Sequence, residues 1–91
     1  MNPDNSAIPV VFRMWKAHPR TCIALFPTLT WNYSGTECGS YEHVGQHGGA
    51  DYAGVIERTR PATPDEYAAL KRELEGAPFY YRLKVCRRKP K

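Results

Sequence analysis

The strongest constraint on the fold is a helix encoded in ATPDEYAALKRELEG, residues 62–76. Its start is marked at Thr63 and its end at Gly76. Thr63 is followed by Pro64, and Glu66 comes three residues after Thr63. This spacing predicts a capping box, with the proline in the first turn where its missing N–H does no harm. Three apolar side chains then fall on one face at helical spacing: Tyr67, Leu70 and Leu74. The sequence therefore predicts an amphipathic helix over Pro64–Glu75.

Two apolar runs nearer the N-terminus predict a β-hairpin. VVFRMWK (residues 10–16) and TCIALF (residues 21–26) are rich in β-branched and aromatic residues, and the His18-Pro19 pair between them favours a turn. The nearly unbroken apolar character of CIALF indicates a central strand covered on both faces or nearly so. Residues 27–40, PTLTWNYSGTECGS, are expected to form a long connection, because Thr, Ser, Gly and Asn are abundant there.

The second half of the chain adds weaker patterns around the helix. Ser40–Val44 alternates as a possible third strand, which the glycines after it are expected to break. Residues 52–59 are interpreted as a short helix, with an irregular strand as the alternative. FYYRLKVCRRK, residues 79–89, alternates as a final strand. One face of it is apolar (Phe79, Tyr81, Leu83, Val85), and the other is wet and basic (Tyr80, Arg82, Lys84, Cys86).

These elements predict an α+β fold with two layers. We expect an antiparallel sheet of three to four strands with one amphipathic helix packed on one face, and the last strand beside the first hairpin. Ninety-one residues form a single domain, 1–91. Residues 1–8 are expected to be a loose N-terminal lead-in, and residues 87–91 a basic C-terminal tail.

The positive charge is concentrated at one end of the chain. Six of the thirteen basic residues lie within residues 82–91, which leaves seven basic against nine acidic residues in the rest of the chain. This distribution indicates a local basic patch on an acidic body. No apolar run approaches the roughly 18 residues of a membrane span, and the three cysteines form no CxxC pair. A cytoplasmic protein without a membrane partner is expected.

The stretch SYEHVGQHGGADY contains the residues that most suggest chemistry. His43 and His47 have metal-ligand spacing, and Asp51 could supply a third ligand. The glycines between and after them argue against a helix, and a loop organised by its own hydrogen bonds explains the same residues. Cys38 could in principle pair with either histidine as a nucleophile. We predict an ordered loop with no tightly bound metal, no cofactor and no catalytic residues, in a protein that is not an enzyme.

Two basic groups suggest binding. Arg58 and Arg60 flank Thr59 just before the helix and could hold an anion, or could pair with nearby acids. Aromatic and basic side chains on the final strand and the tail could bind nucleic acid; they are Tyr80, Arg82, Lys84, Arg87, Arg88 and Lys89. Lysines placed to protect an edge strand explain that second group equally well.

Four strings in order carry a resemblance: VVFRMWK, IALFP, SYEHVGQHGGADY and VIERTRPATPDEYAALKREL. Together they resemble a set of small uncharacterised proteins encoded on plasmids, prophages and other mobile elements, over roughly Val10 to Val85. The resemblance implies a genetic context and no mechanism. This chain departs from the pattern in the connection PTLTWNYSGTECGS, which carries Trp31 and Tyr33. The resemblance makes one surface worth testing: Tyr41, His43, Gly45, Gln46, His47, Asp51 and Tyr52.

We therefore expect a non-enzymatic accessory protein of a mobile genetic element that binds a protein partner, with an inhibitor of host defence as one form of it. The partner-binding residues would be Trp31, Tyr33, Tyr41, His43, Gln46, His47, Asp51 and Tyr52. Aromatic side chains are favoured anchors at such interfaces. The first alternative is a small nucleic-acid-binding protein using the basic strand and tail. The second is a metal-binding protein using His43, His47 and Asp51.

Overall fold

The structure is a computed structural model, and it describes residues 7–19, 21–42 and 46–89. Over these ranges the chain forms six strands and two helices. They are β1 (Ile8–Trp15), β2 (Cys22–Thr30), β3 (Cys38–Glu42), β4 (Gln46–Ala50), α1 (Tyr52–Arg58), β5 (Thr59–Pro61), α2 (Pro64–Glu75) and β6 (Leu83–Cys86). The α+β class is confirmed. Neither helix of this described part is long and apolar enough to cross a membrane.

All six strands belong to one sheet, which is antiparallel except for one pair. The order is β4-β3-β2-β1-β5, and β6 also pairs with β1, in parallel. The outer edge of β1 is shared, because β5 pairs with Arg13–Trp15 and β6 with Ile8–Val11. The expected three to four strands were too few. The two strands that the sequence did not predict are β4, whose glycines were expected to break the strand pattern, and β5, whose three residues are too few to leave a periodic pattern.

The glycine-rich segment after β3 is a strand, which corrects the expectation of an ordered loop in this stretch. Residues 46–50 pair with β3 in continuous antiparallel register from Glu42↔Gln46 to Cys38↔Ala50. β2 is also longer than expected, since it continues through Pro27 to Thr30. The register between β2 and β3 shifts between Phe26 and Thr30, and this irregularity accommodates the proline, which has no N–H to donate.

Both faces of the sheet are covered, so the expected two-layer arrangement is incomplete. The α2 face carries one cluster of buried residues: Val10, Phe12, Ala24, Phe26, Tyr41, Leu70 and Leu74. The α1 face carries another: Val11, Ile23, Leu25, Cys38, Ala50 and Val55. Successive residues of β1 and β2 enter opposite clusters, as the two-residue repeat of a strand requires. This confirms that CIALF is a central strand covered on both sides.

The two helices lie where the sequence places them. α2 spans Pro64–Glu75 with the complete capping box between Thr63 and Glu66. Leu70 and Leu74 are buried against the sheet, and the ring of Tyr67 stacks on Phe12 with centroids 4.5 Å apart. Residues 52–58 form the short helix that was preferred over an irregular strand.

The final strand lies beside the first hairpin, as expected, but it is shorter and runs parallel to β1. Tyr80 has a φ of 55° in the left-handed region, which interrupts the alternation before β6 begins at Leu83. The connection through α2 reverses the direction of the chain after β5, so that β6 returns along the same edge of β1. Phe79, Tyr81 and Leu83 nevertheless all pack on the α2 face.

Candidate interaction surface

Two residues of the histidine-containing segment face α2 and belong to an aromatic cluster. Tyr41 and His47 are direct cross-strand partners in β3 and β4, with ring centroids 4.8 Å apart. Phe79 meets His47 edge-on at 5.1 Å, and the hydroxyl of Tyr81 lies 3.1 Å from His47 Nε2 in a hydrogen bond. Phe26 closes the cluster at 6.4 Å from the imidazole. This half-buried imidazole is therefore held by four rings.

Tyr41 is an internal anchor of this cluster. It is 2% exposed, and its hydroxyl donates a short hydrogen bond to Oε2 of Glu73 on α2. The bond to that carboxylate, with burial adding to it, raises the pKa of Tyr41 to about 12. The phenol stays protonated at neutral pH and links β3 to α2. Tyr41, one of the expected partner-binding residues, is therefore buried within the fold.

Asp51 and Tyr52 do not extend the same surface. Asp51 precedes α1 as its N-cap residue, and its Oδ2 lies over Gly54, where a Cβ would be 2.7 Å away. Tyr52 packs into the cluster on the α1 face. The segment predicted as one surface is thus divided between the two faces of the sheet. His43 lies outside the described residues, and Gln46 begins β4.

The residues considered for a metal site or a cysteine nucleophile are also separated. His47 points to the α2 face, whereas the Asp51 carboxylate turns back over α1. Among the residues that the structure describes, no three His, Cys, Asp or Glu side chains come close enough to hold a metal ion. Cys38 is buried on the α1 face, opposite His47, and burial raises the pKa of its thiol. Cys38 is therefore separated from His47 and has no exposed thiol.

The two arginines considered for an anion site do not converge on one point. Arg60 forms a bidentate ion pair with Glu66, with N–O distances of 2.8 and 2.5 Å. The guanidinium lowers the pKa of Glu66 to about 2. The guanidinium of Arg58 lies instead beside α1, with Nη2 near Gly54. Arg60 therefore pairs with an acid, as one of the two interpretations expected, and that acid is Glu66 of the capping box.

The predicted basic surface is exposed but is not one strand face. Arg82 and Lys84 are exposed, and Tyr80, 69% exposed, lies in the turn before β6. Two residues that follow β6 line cavities of the fold. Arg87 lines a cleft of about 530 Å³ beside Phe12, and Lys89 lines a smaller cavity of about 140 Å³.

The exposed apolar side chains that lie together come from the end of β2 and the loop after it. Leu29 is 45% exposed, Trp31 is 50% exposed and Tyr33 is fully exposed. We call these three residues the aromatic patch. The indole of Trp31 lies on the α2 face over two glycines, Gly39 and Gly49. Sequence reasoning singled out Trp31 and Tyr33 but missed Leu29, although the alternation in LTWNY could have revealed it.

The loop that presents the patch is ordered by its own hydrogen bonds. The amide N–H of Trp31 donates to the carbonyl of Glu37 at 2.8 Å, and the Glu37 N–H donates to Oδ1 of Asn32 at 3.1 Å. Asn32 Nδ2 also donates to Oγ1 of Thr36 at 2.8 Å. Gly35 takes a φ of 74° in this turn, a conformation that suits glycine. Trp31 and Tyr33 are thus held on a defined hairpin end instead of the long open connection that was expected.

Comparisons with protein-family models, with curated proteins and with solved structures find no match to this chain.

Proposed function

We propose that this chain is a non-enzymatic binding protein whose partner is another protein, and that the partner docks on the aromatic patch. The observation that carries this proposal is the joint exposure of Leu29, Trp31 and Tyr33 on one hydrogen-bonded loop. Burying such side chains in an interface removes apolar area from water, and Trp and Tyr are the most frequent anchors of binding energy. A preordered loop loses little conformational entropy on binding.

The side chains that could act as nucleophiles support a non-enzymatic role. Burial raises the pKa of Cys22 to about 12 and also raises that of Cys38. The hydroxyl of Tyr41 donates to a carboxylate and is not available as a base. His47 is enclosed by four rings on the α2 face. All four groups are buried or half-buried among other side chains, which supports a structural role for them.

The genetic context remains part of the proposal. The sequence resemblance supports an accessory protein of a plasmid, prophage or other mobile element that acts in the host cytoplasm. Inhibition of a host defence protein is one activity that needs only a binding surface of this kind. The chain departs from the resembling set in the segment that carries Trp31 and Tyr33, which favours a partner particular to this chain.

The test is capture of the partner from host lysate by the intact protein and by point variants. Tyr33→Ala removes a side chain that is fully exposed, so it should reduce capture of a nuclease-resistant protein without changing the melting temperature. Tyr80→Asn is the matched control, because it removes another exposed tyrosine at a site where asparagine tolerates the positive φ. Equal capture by Tyr33→Ala and the intact protein would count against the aromatic patch.

One observation favours nucleic acid as a second candidate. Tyr80, Arg82, Lys84, Arg87, Arg88 and Lys89 are all exposed. Phosphate contacts by such residues would give binding that falls steeply with salt. In the same experiment, nuclease-sensitive capture that is lost in Arg82→Ala/Lys84→Ala but kept in Tyr33→Ala would establish this candidate in place of the first.

A further inference from the structure

The outermost strand of the sheet, β4, lacks the charges, the proline and the bulge that often protect an edge strand. It pairs with β3 on one side, and no described residue pairs with its other side. Its sequence QHGGA contains no lysine, no proline and no acidic residue, and its register with β3 has no bulge. Alternate backbone N–H and C=O groups of such a strand point outward and can pair with another strand.

The pattern of side-chain sizes along β4 is complementary to itself. When two copies of this strand run antiparallel with Gly48 at the centre, His47 of each copy lies opposite Gly49 of the other. Gly49 contributes no side chain of its own on this face of the sheet, and the space above it is occupied by the Trp31 indole and the Glu37 carboxylate. Gln46 lies opposite Ala50 in the same register, and the two Gly48 residues face each other.

The α2 face supplies side-chain contacts to this pairing. The indole of Trp31 and Oε1 of Glu37 both lie over Gly49, where a Cβ would overlap the Trp31 ring and be 2.5 Å from that oxygen. His47 of the second copy would lie beside this indole and this carboxylate. An aromatic ring and an acid are favourable neighbours for an imidazole. Half of the Trp31 surface is exposed and available for this contact.

We propose that the occupant of the β4 edge is a second copy of this chain, paired antiparallel about Gly48. The two six-stranded sheets then form one continuous sheet with both copies of α2 on the same face. The proposal rests on the β4 edge and does not depend on the proposed function.

The test is a charge exchange at the centre of the register. A Cβ at Gly48 would have only an ordinary contact, 3.8 Å from Oγ of Ser40, so Gly48→Lys and Gly48→Glu should both fold. Each variant alone would place like charges directly opposite each other and should self-associate about tenfold more weakly than the unmodified protein. An equimolar mixture of the two should recover the association, as measured by sedimentation velocity over a concentration series.

The control variants are Ala69→Lys and Ala69→Glu, which make the same charge changes on an exposed position of α2. They should associate as the unmodified protein does. The proposal is overturned if the unmodified protein is monomeric up to millimolar concentration, or if the two Gly48 variants dimerise as well as their Ala69 counterparts. Amide exchange of residues 46–50 gives a second measurement without any variant, since these amides should exchange more slowly as the protein concentration rises.

Discussion

Neighbouring glycines in β4 have very different surroundings. A Cβ at Gly49 would overlap Cδ1 of Trp31 and lie 3.1 Å from its Cγ, whereas a Cβ at Gly48 would meet only the Ser40 hydroxyl at 3.8 Å. Because successive strand residues face opposite sides of the sheet, only one of the two lies under the indole. The sequence shows two glycines, and only the fold distinguishes their roles.

We expect Gly49→Ala to displace the Trp31 indole and Gly48→Ala to leave it in place. The added methyl group would occupy the space that the ring fills. Overpacking of this kind lowers the free energy of unfolding by about 1–3 kcal/mol where the neighbour cannot move away. Trp31 is half-exposed and can move, so the cost should fall at the lower end of that range. The indole N–H cross-peaks of Trp31 and Trp15 in an NMR spectrum provide the measurement. A Trp31 peak that shifts equally in both variants would contradict this assignment.

Tyr41 should make folding sensitive to alkaline pH. Its folded-state pKa is raised to about 12 from an ordinary value of 10, because the hydroxyl donates to Glu73 and is buried. The stabilisation is therefore complete below pH 10 and is lost as the pH rises from 10 toward 12. In Tyr41→Phe this contribution to the pH dependence should vanish, since the ring remains but cannot ionise. Denaturant unfolding between pH 8 and 12 measures it, and identical pH profiles for the two proteins would contradict the prediction.

At the scale of secondary structure, the two helices were predicted with nearly correct bounds. α2 is specified within its own residues by the capping box and the apolar repeat, so Pro64–Glu75 could be predicted before any tertiary contact was known.

Arg13 shows the limit of such reasoning, because strand alternation indicates only that its side chain points away from the face on which its neighbours lie. It is in fact 8% exposed and donates to the carbonyls of Ile56 and Thr59. Those carbonyls lie more than forty residues away in sequence, where no local pattern reaches.

The packing face of α2 can be tested with Leu74, which is completely buried. Leu74→Ala should lower the free energy of unfolding by about 2–5 kcal/mol, because it removes apolar contacts and leaves a cavity between helix and sheet. Leu74→Met keeps most of the volume and should cost less than about 1.5 kcal/mol. Urea unfolding monitored by circular dichroism gives both values. Equal stability of Leu74→Ala and the unmodified protein would mean that α2 does not pack through this face.

At the scale of the whole molecule, the arrangement of strands was less predictable than the strands themselves. The hairpin of β1 and β2 joins neighbouring segments, and it was predicted correctly. The pairing of β1 with β6 joins Ile8 to Leu83, and its parallel direction follows from the path through β5 and α2. Nothing in the alternation of residues 79–89 specifies a direction, and the left-handed Tyr80 gives no sequence signal because it is neither glycine nor asparagine. The candidate site had the same limit, since the face on which each residue lies depends on register.

The closure of the β1 edge by β6 leads to a prediction about truncated chains. A chain that ends at Cys86 keeps the whole of β6, including the pairs Ile8↔Leu83 and Val11↔Cys86. It should fold with a stability within about 1 kcal/mol of the full chain, because the residues it lacks from 87 to 89 are exposed. A chain that ends at Arg82 loses the strand and the Leu83 side chain that packs on the α2 face.

Removal of β6 leaves the first half of β1 without its outer partner and uncovers the apolar clusters on both faces, because Cys86 packs on the α1 face. The loss should exceed about 3 kcal/mol, more than a domain of this size readily tolerates. Thermal unfolding and the dispersion of amide signals in an NMR spectrum should therefore show a folded protein for the first chain and a largely unfolded one for the second. Equal melting temperatures of the two chains would mean that the sheet is complete without β6, and the parallel pairing with β1 would then be wrong.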